Sequence, residues 1–170
     1  IRDRVGSGVL EVLTSHAASI AKRAKEEIHV KYILDLKEFP GLPYSDRFTK
    51  DFNVILNDPE VQIVVEVMGG LHPAYEYVAA ALRAGKNVVS SNKYLMCRYY
   101  DELTALAKEH GAALRCTAAV GGGIPWLTNL EKAARANHIS RVWGILNGTT
   151  NYIMDAMHGS DVDSVSYTHL

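Results

Sequence analysis

Val61-Gln-Ile-Val-Val-Glu-Val67 is a nearly continuous apolar run that leads into Met68-Gly69-Gly70. Such a run suits a strand covered on both faces, as in a parallel sheet. Downstream the pattern repeats. Residues 73–84 read as a helix, with Pro73 near its first turn and Gly85 just past its end. Asn87-Val-Val-Ser90 is a short strand, Tyr99 to His110 a helix closed by Gly111, and Ala112 to Cys116 another strand. Upstream, a short helix is expected over about 50–57, before Asn57-Asp58-Pro59. Glu38-Phe-Pro-Gly-Leu-Pro43 breaks regular structure. His29 to Leu36 has strand composition, and residues 5–27 carry a partial apolar stripe at helical spacing (Val5, Val9, Val12, Leu13, Ile20, Ala24). Strands near 29–36, 61–67, 86–90 and 112–117, alternating with helices, predict an α/β fold with a parallel sheet. Right-handed crossovers then place helices on both faces.

The pattern changes near residue 117. Thr117-Ala-Ala-Val-Gly-Gly-Gly-Ile-Pro125 is a glycine-rich hinge, followed by an expected helix over 126–136, a strand over 139–146 and a helix over 150–157. The organisation expected is one α/β domain over 1–118 and part of a second, α+β domain over 119–170. The 170 residues are 48% hydrophobic and 22% charged, which fits a globular chain. A net charge of −1 gives no basic face for nucleic acid. Cys97 and Cys116 form no zinc or disulfide pattern. No apolar run approaches the roughly 18 residues of a membrane span, and Ile1-Arg2-Asp3-Arg4 is not a signal peptide, so the cytoplasm is the expected compartment.

Several segments suit ligand chemistry, and each has a plain structural reading beside it. Val5-Gly6-Ser7-Gly8 opens the first helix, where a dinucleotide pyrophosphate would meet backbone N–H groups; glycine there also merely relieves crowding. Asp35 ends the second expected strand and could accept the ribose hydroxyls of NAD, whereas Lys37 could meet the extra phosphate of NADP. Gly69 and Gly70 would let a flat ring approach the backbone, or form only a tight turn. Lys93, in Ser90-Ser-Asn-Lys93, could hold a carboxylate or cofactor oxygen, though most lysines are solvated. Carbonyls in Val120-Gly-Gly-Gly-Ile-Pro125 could ligate a hard monovalent cation or simply form a hinge. In Asn147-Gly148-Thr149-Thr150, Thr149 or Thr150 could cap a helix, or the N–H groups there could bind a substrate carboxylate.

Five segments together resemble the homoserine dehydrogenase family: Val5-Gly-Ser-Gly-Val9, Val65-Glu-Val-Met-Gly-Gly70, Gly85-Lys-Asn-Val-Val89 with Asn92-Lys93, Ala119-Val-Gly-Gly-Gly-Ile-Pro125 and Asn147-Gly-Thr-Thr-Asn-Tyr152. The resemblance implies a Rossmann-like NAD(P)-binding domain followed by an incomplete substrate and dimerisation domain. It implies the interconversion of L-aspartate 4-semialdehyde and L-homoserine, on the path to threonine and methionine, in an enzyme that is a homo-oligomer at full length. By resemblance, Val5 and Gly6 lie under the pyrophosphate, and Gly69 and Gly70 near the nicotinamide. Lys93 reaches cofactor and substrate, Gly148 and Thr149 face the substrate, and Thr117 with the carbonyls of Val120, Gly122 and Ile124 stands at a structural sodium site.

Three departures from the family's pattern bear on activity. Ile1 and Asp3 stand where the first two glycines of the dinucleotide turn belong, and the strand before them is missing. Thr117 replaces the usual glutamate of the sodium site. The tail Val165-Ser-Tyr-Thr-His-Leu170 does not continue the pattern, and the family's acidic substrate ligands and main lysine lie beyond it. The chain alone is therefore expected to be inactive. Two alternatives are another Rossmann oxidoreductase of an amino-acid-derived carbonyl and a non-catalytic fragment that binds a nucleotide or a partner.

Overall fold

The computed structural model describes residues 4–144 and 147–159. Ile1 and Asp3, at the expected dinucleotide turn, and the tail Val165–Leu170 lie outside the described residues, as do the last two positions of the strand expected over 139–146. The chain divides into two compact units, Ile1–Ala119 and Val120–Leu170.

The first unit is built on β3 (Ile63–Glu66), β4 (Asn87–Ser90) and β5 (Leu114–Arg115), all parallel and in that spatial order. Val64, Val88 and Leu114 lie side by side in register. Helices α4 (Ala74–Arg83) and α5 (Lys93–Glu109) pack against each other and this sheet. The buried positions of α4 include Ala74, Val78 and Leu82, at four-residue spacing. Leu95, Leu103 and Ala107 do the same on α5, and Tyr99 packs against them. Ala74, Ala79 and Ala81 of α4 are buried with them. Both helices end the same way. Gly85 N–H donates to Leu82 O and Lys86 N–H to Ala81 O, both at 2.9 Å; Gly111 and Ala112 repeat the pattern on Lys108 and Ala107.

The parallel strands follow the expected α/β alternation, but several boundaries differ. The run 61–67 is not covered on both faces. Val64 and Glu66 face the helices, while Ile63 is 49%, Val65 41% and Val89 38% exposed on the other side. The apolar alternate positions are simply left uncovered by the described residues. The expected helix 5–27 is two helices, α1 (Arg4–Ser15) and α2 (Ala17–Ala24). Thr14 explains the break: its hydroxyl donates back to Leu10 O at 2.5 Å, a local bond that bends helices, and His16 leaves the helical region. The strand expected over 29–36 shrinks to β1 (Ile33–Leu34), which pairs in parallel with β2 (Phe48–Thr49), a pair too short to show as periodicity. The short helix is α3 (Phe52–Asn57), capped by Asp51. Pro73 is the cap of α4 rather than a first-turn residue. Helix α5 starts six residues before the expected Tyr99, because Asn92 caps it; Tyr99 is instead a kink within it. In the second unit, α6 (Trp126–Ala134) and α7 (Gly148–Gly159) are present, and residues 139–144 form no strand.

At the amino end of the sheet, Asp58 ties the segments leading into β1, β3 and β4. Its carboxylate pairs with Lys31 Nζ at 2.6 Å and accepts from Tyr32 OH at 2.8 Å and Glu60 N–H at 2.9 Å. The buried Lys86 ammonium donates to the carbonyls of Asp58 and Val61, each at 2.7 Å. The Lys31 ammonium, then the Tyr32 hydroxyl, hold the Asp58 carboxyl down at about 2, against an ordinary value of 3.8. A carboxyl lowered on folding contributes stability above its unfolded pKa, and that contribution is lost as pH falls through the folded value. Asp58→Asn should therefore lower the urea midpoint at neutral pH. The gap to wild type should close between about pH 4 and pH 2 in melts followed by circular dichroism.

Candidate active site at the carboxyl rim of the sheet

Because β3 and β4 run parallel, the segments that leave them, Val67–Gly70 and Ser91–Lys93, emerge at the same edge. In open α/β sheets that edge is where ligands bind. The last residues of the two strands, Glu66 and Ser90, are partners in register. The Glu66 carboxylate accepts from Met68 N–H at 2.8 Å on one oxygen and from Ser90 OH at 2.5 Å on the other. Ser90 Oγ in turn accepts from Asn92 N–H at 3.1 Å. The Asn92 amide donates to Gly70 O at 2.7 Å and to Glu66 Oε1 at 3.4 Å, while its oxygen caps α5 by accepting from Leu95 N–H at 3.1 Å. Glu66, Ser90 and Asn92 are 4%, 0% and 6% exposed.

This network brings three of the expected site residues together. Gly69 and Gly70 form the turn after β3, with φ of 75° and 73°. A Cβ built on either meets nothing within 4 Å, so the turn has open space beside it. Lys93 is the first residue of α5 and is exposed, one residue from the side chain that holds Gly70. An open glycine turn tied to a helix start that carries a lysine can take a planar ring and a polar oxygen.

The other expected residues stand elsewhere. Val5 and Gly6 lie in the first turn of α1. Asp35 follows β1; its N–H donates to Thr49 O at 3.2 Å and its carboxylate accepts from Lys37 N–H at 2.9 Å. Thr117 sits in a 3-10 turn over Thr117–Ala119, in the first unit. In the second unit, Ile124 N–H donates to Gly121 O at 3.1 Å, and Ile124 O accepts from Trp126 N–H at 2.7 Å. Gly148 and Thr149 open α7. The cap of that helix is neither Thr149 nor Thr150 but Asn147, whose side chain accepts both their N–H groups, at 3.0 and 3.2 Å. Those two N–H groups are thus engaged locally. Sequence reasoning passed over Glu66, Ser90 and Asn92. The available signals were a lone carboxylate inside an apolar strand and an asparagine three residues before an apolar helical position.

The family model described as "Homoserine dehydrogenase, NAD binding domain" matches residues 4–117. The chain belongs to the homoserine dehydrogenase family. A second model, described as "Homoserine dehydrogenase", matches residues 125–168. The homoserine dehydrogenases of Bacillus subtilis and Synechocystis are 38% and 39% identical to it, over 90% and 95% of this chain. The chain spans only 36% and 38% of the length of those two relatives. The crystal structure of a homoserine dehydrogenase from Thiobacillus denitrificans superposes with a TM-score of 0.83 at 38% identity, over 95% of this chain and 38% of that one. The Rossmann-like NAD-binding fold expected from sequence is the fold this family segment has.

Gly70 and Gly8 separate backbone need from space. Neither would bring a Cβ within 4 Å of a neighbour, yet Gly70 has φ of 73° whereas Gly8 lies within α1. Gly70→Ala should destabilise by about 1–2 kcal/mol, the cost of a left-handed residue with a Cβ. Gly8→Ala should stabilise by about 0.5–1 kcal/mol. Urea denaturation of both variants checks the opposite signs.

Proposed function

We propose that this chain is the nicotinamide-nucleotide part of a homoserine dehydrogenase that interconverts L-aspartate 4-semialdehyde and L-homoserine with NAD or NADP. The observation that carries this reading is the tie through Asn92 between the Gly69–Gly70 turn and the start of α5, which sets Lys93 at the same rim. Family membership and the relatives' names support the substrate pair. The rim fits a nicotinamide ring by its open glycine turn. The first turn of α1, with Val5 and Gly6, would face the pyrophosphate. Asp35 would take the adenosine ribose, with Lys37 beside it, so both cofactor forms stay within the proposal.

The bound dinucleotide would supply the hydride that reduces the aldehyde carbon. Lys93 would steady the carbonyl oxygen as negative charge develops there and help deliver the proton that completes the alcohol. Gly148 and Thr149 would bind the amino-acid end of the substrate. With Thr149 N–H held by Asn147, that role would fall to the Thr149 hydroxyl and Gly148. The carbonyls of Val120, Gly122 and Ile124 would suit a sodium ion within their turn, whose positive-φ glycines Gly121 and Gly122 redirect the backbone. The full-length enzyme would act in the cytoplasm as a homo-oligomer, within threonine and methionine biosynthesis.

In a polypeptide of the relatives' length, Lys93→Ala should lower kcat for homoserine oxidation at least about tenfold, or ~1.4 kcal/mol of transition-state stabilisation. Its folded state should lose no stability and should gain up to about 1 kcal/mol, because a cation leaves the amino end of α5. Near-normal turnover with near-normal cofactor affinity would make Lys93 an ordinary solvated side chain and overturn its assignment.

A further inference from the structure

We propose that Glu66 is the positioning residue of this rim: its buried carboxylate locks the turn after β3 to the amino end of α5, fixing Gly69–Gly70 relative to Lys93. The proposal rests on the reading of that rim as the nicotinamide site.

Glu66 occupies a strand position whose neighbours on the same face, Val64 and Val88, are apolar. An aliphatic residue would fill that place without the cost of burying a charge. Among the described residues Glu66 makes no ion pair with lysine, arginine or histidine. Its hydrogen bonds go to the two segments that leave the strands. One oxygen holds Met68 N–H at 2.8 Å, which sets the direction of the chain just before Gly69. The other takes the Ser90 hydroxyl at 2.5 Å and so turns the Ser90 oxygen lone pairs toward Asn92 N–H, 3.1 Å away. Asn92 closes the circuit by bonding Gly70 O, Glu66 Oε1 and Leu95 N–H. Both oxygens of the side chain act as acceptors, one for each segment, and Asn92 reaches back to one of them, so Glu66 is the anchor of this circuit. A side chain that served only to cement the core would have no reason to divide its bonds between the two ligand-facing loops.

Amide hydrogen exchange on the 15N-labelled chain, followed by titration with NADH, tests the proposal. Leu95 N–H touches no atom of Glu66, so its behaviour reports the relay. In Glu66→Ala, exchange at Met68, Asn92 and Leu95 should rise together by at least about tenfold, while the buried interior of α4 at Val78 and Leu82 holds its protection. Glu66→Gln keeps an oxygen for Met68 N–H but sets an amide NH2 against the Ser90 hydroxyl, so it should restore Met68 while Asn92 and Leu95 stay raised. A uniform rise through α4 and α5 would make Glu66 a stability residue and overturn the proposal. A rise at Met68 alone would also overturn it, because the two loops would then be independent.

In the NADH titration, Gly69, Gly70 and Lys93 amides should shift with one dissociation constant, which Glu66→Ala weakens at least about tenfold. In a Lys93→Ala background the same substitution should weaken binding clearly less, because coupled residues are not additive. Full additivity would remove the link to Lys93. If the rim amides ignore NADH in a polypeptide of the relatives' length that carries the family's glycine turn, the cofactor reading of the rim fails. The proposal's functional half fails with it, while the exchange result still decides whether Glu66 ties the loops.

Discussion

The parallel register of β3, β4 and β5 is the constraint from which the rest of the first unit follows. Setting Val64, Val88 and Leu114 side by side gives α4 and α5 a common apolar surface. The same register puts Glu66 opposite Ser90, so the last pair of the ladder is polar on both strands, after the aliphatic pairs Val64–Val88 and Val65–Val89. A slip of one residue would turn Glu66 to the exposed face and Val65 or Val67 to the helices, since side chains alternate along a strand. The core and the rim network would be lost together. Packing and site geometry are therefore one specification, written in four residues of β3.

The long-range pattern of this fold was legible because it rests on repeated signals. Strand composition and a glycine past a helix end recur in order between residues 61 and 116, and each has its counterpart in the structure. What escaped the sequence was decided by single side-chain bonds. Thr14 breaks a helix whose apolar stripe runs on; Asn92 starts α5 where composition alone suggested Tyr99; Asn147, rather than a threonine, caps α7. Two-residue strands such as β1 and β2 carry no periodicity at all. The apolar run 61–67 also misled in one respect, because β-branched residues on both faces of a strand look the same whether or not both faces are covered.

Legibility of the site divides along the same line. Gly69, Gly70 and Lys93 could be placed at one rim from the order of strands and loops, because parallel strands must deliver their following segments to the same edge. Which groups hold those segments could not be read, because the relevant contacts join residues 22 to 26 positions apart: Asn92 to Gly70, and Ser90 and Asn92 to Glu66. Neither propensity nor period encodes such a contact. The hint in the sequence was the inconsistency itself, a carboxylate where the strand pattern asks for an aliphatic side chain.

The two carboxylates at opposite ends of the sheet show why that inconsistency matters. Asp58, at the amino end, is matched by the Lys31 ammonium and sits where part of its cost is met by water. Glu66, at the carboxyl end, is almost fully buried and is met by a hydroxyl, an amide and a backbone N–H, all neutral donors. Its oxygens are held by these bonds and, among the described residues, by no cationic side chain. The next anomaly along the chain is a cation. Lys93 is the first residue of α5, and a cation at a helix amino end opposes the macrodipole by about 0.3–1 kcal/mol, where aspartate or glutamate would be favoured. Neither charge improves the element that carries it. Local choices that conflict with local structure mark places where something other than stability selects the residue. A buried carboxylate and an exposed cation, each misplaced by the rules of its own element, belong to the two segments that Asn92 ties together beside the glycine turn.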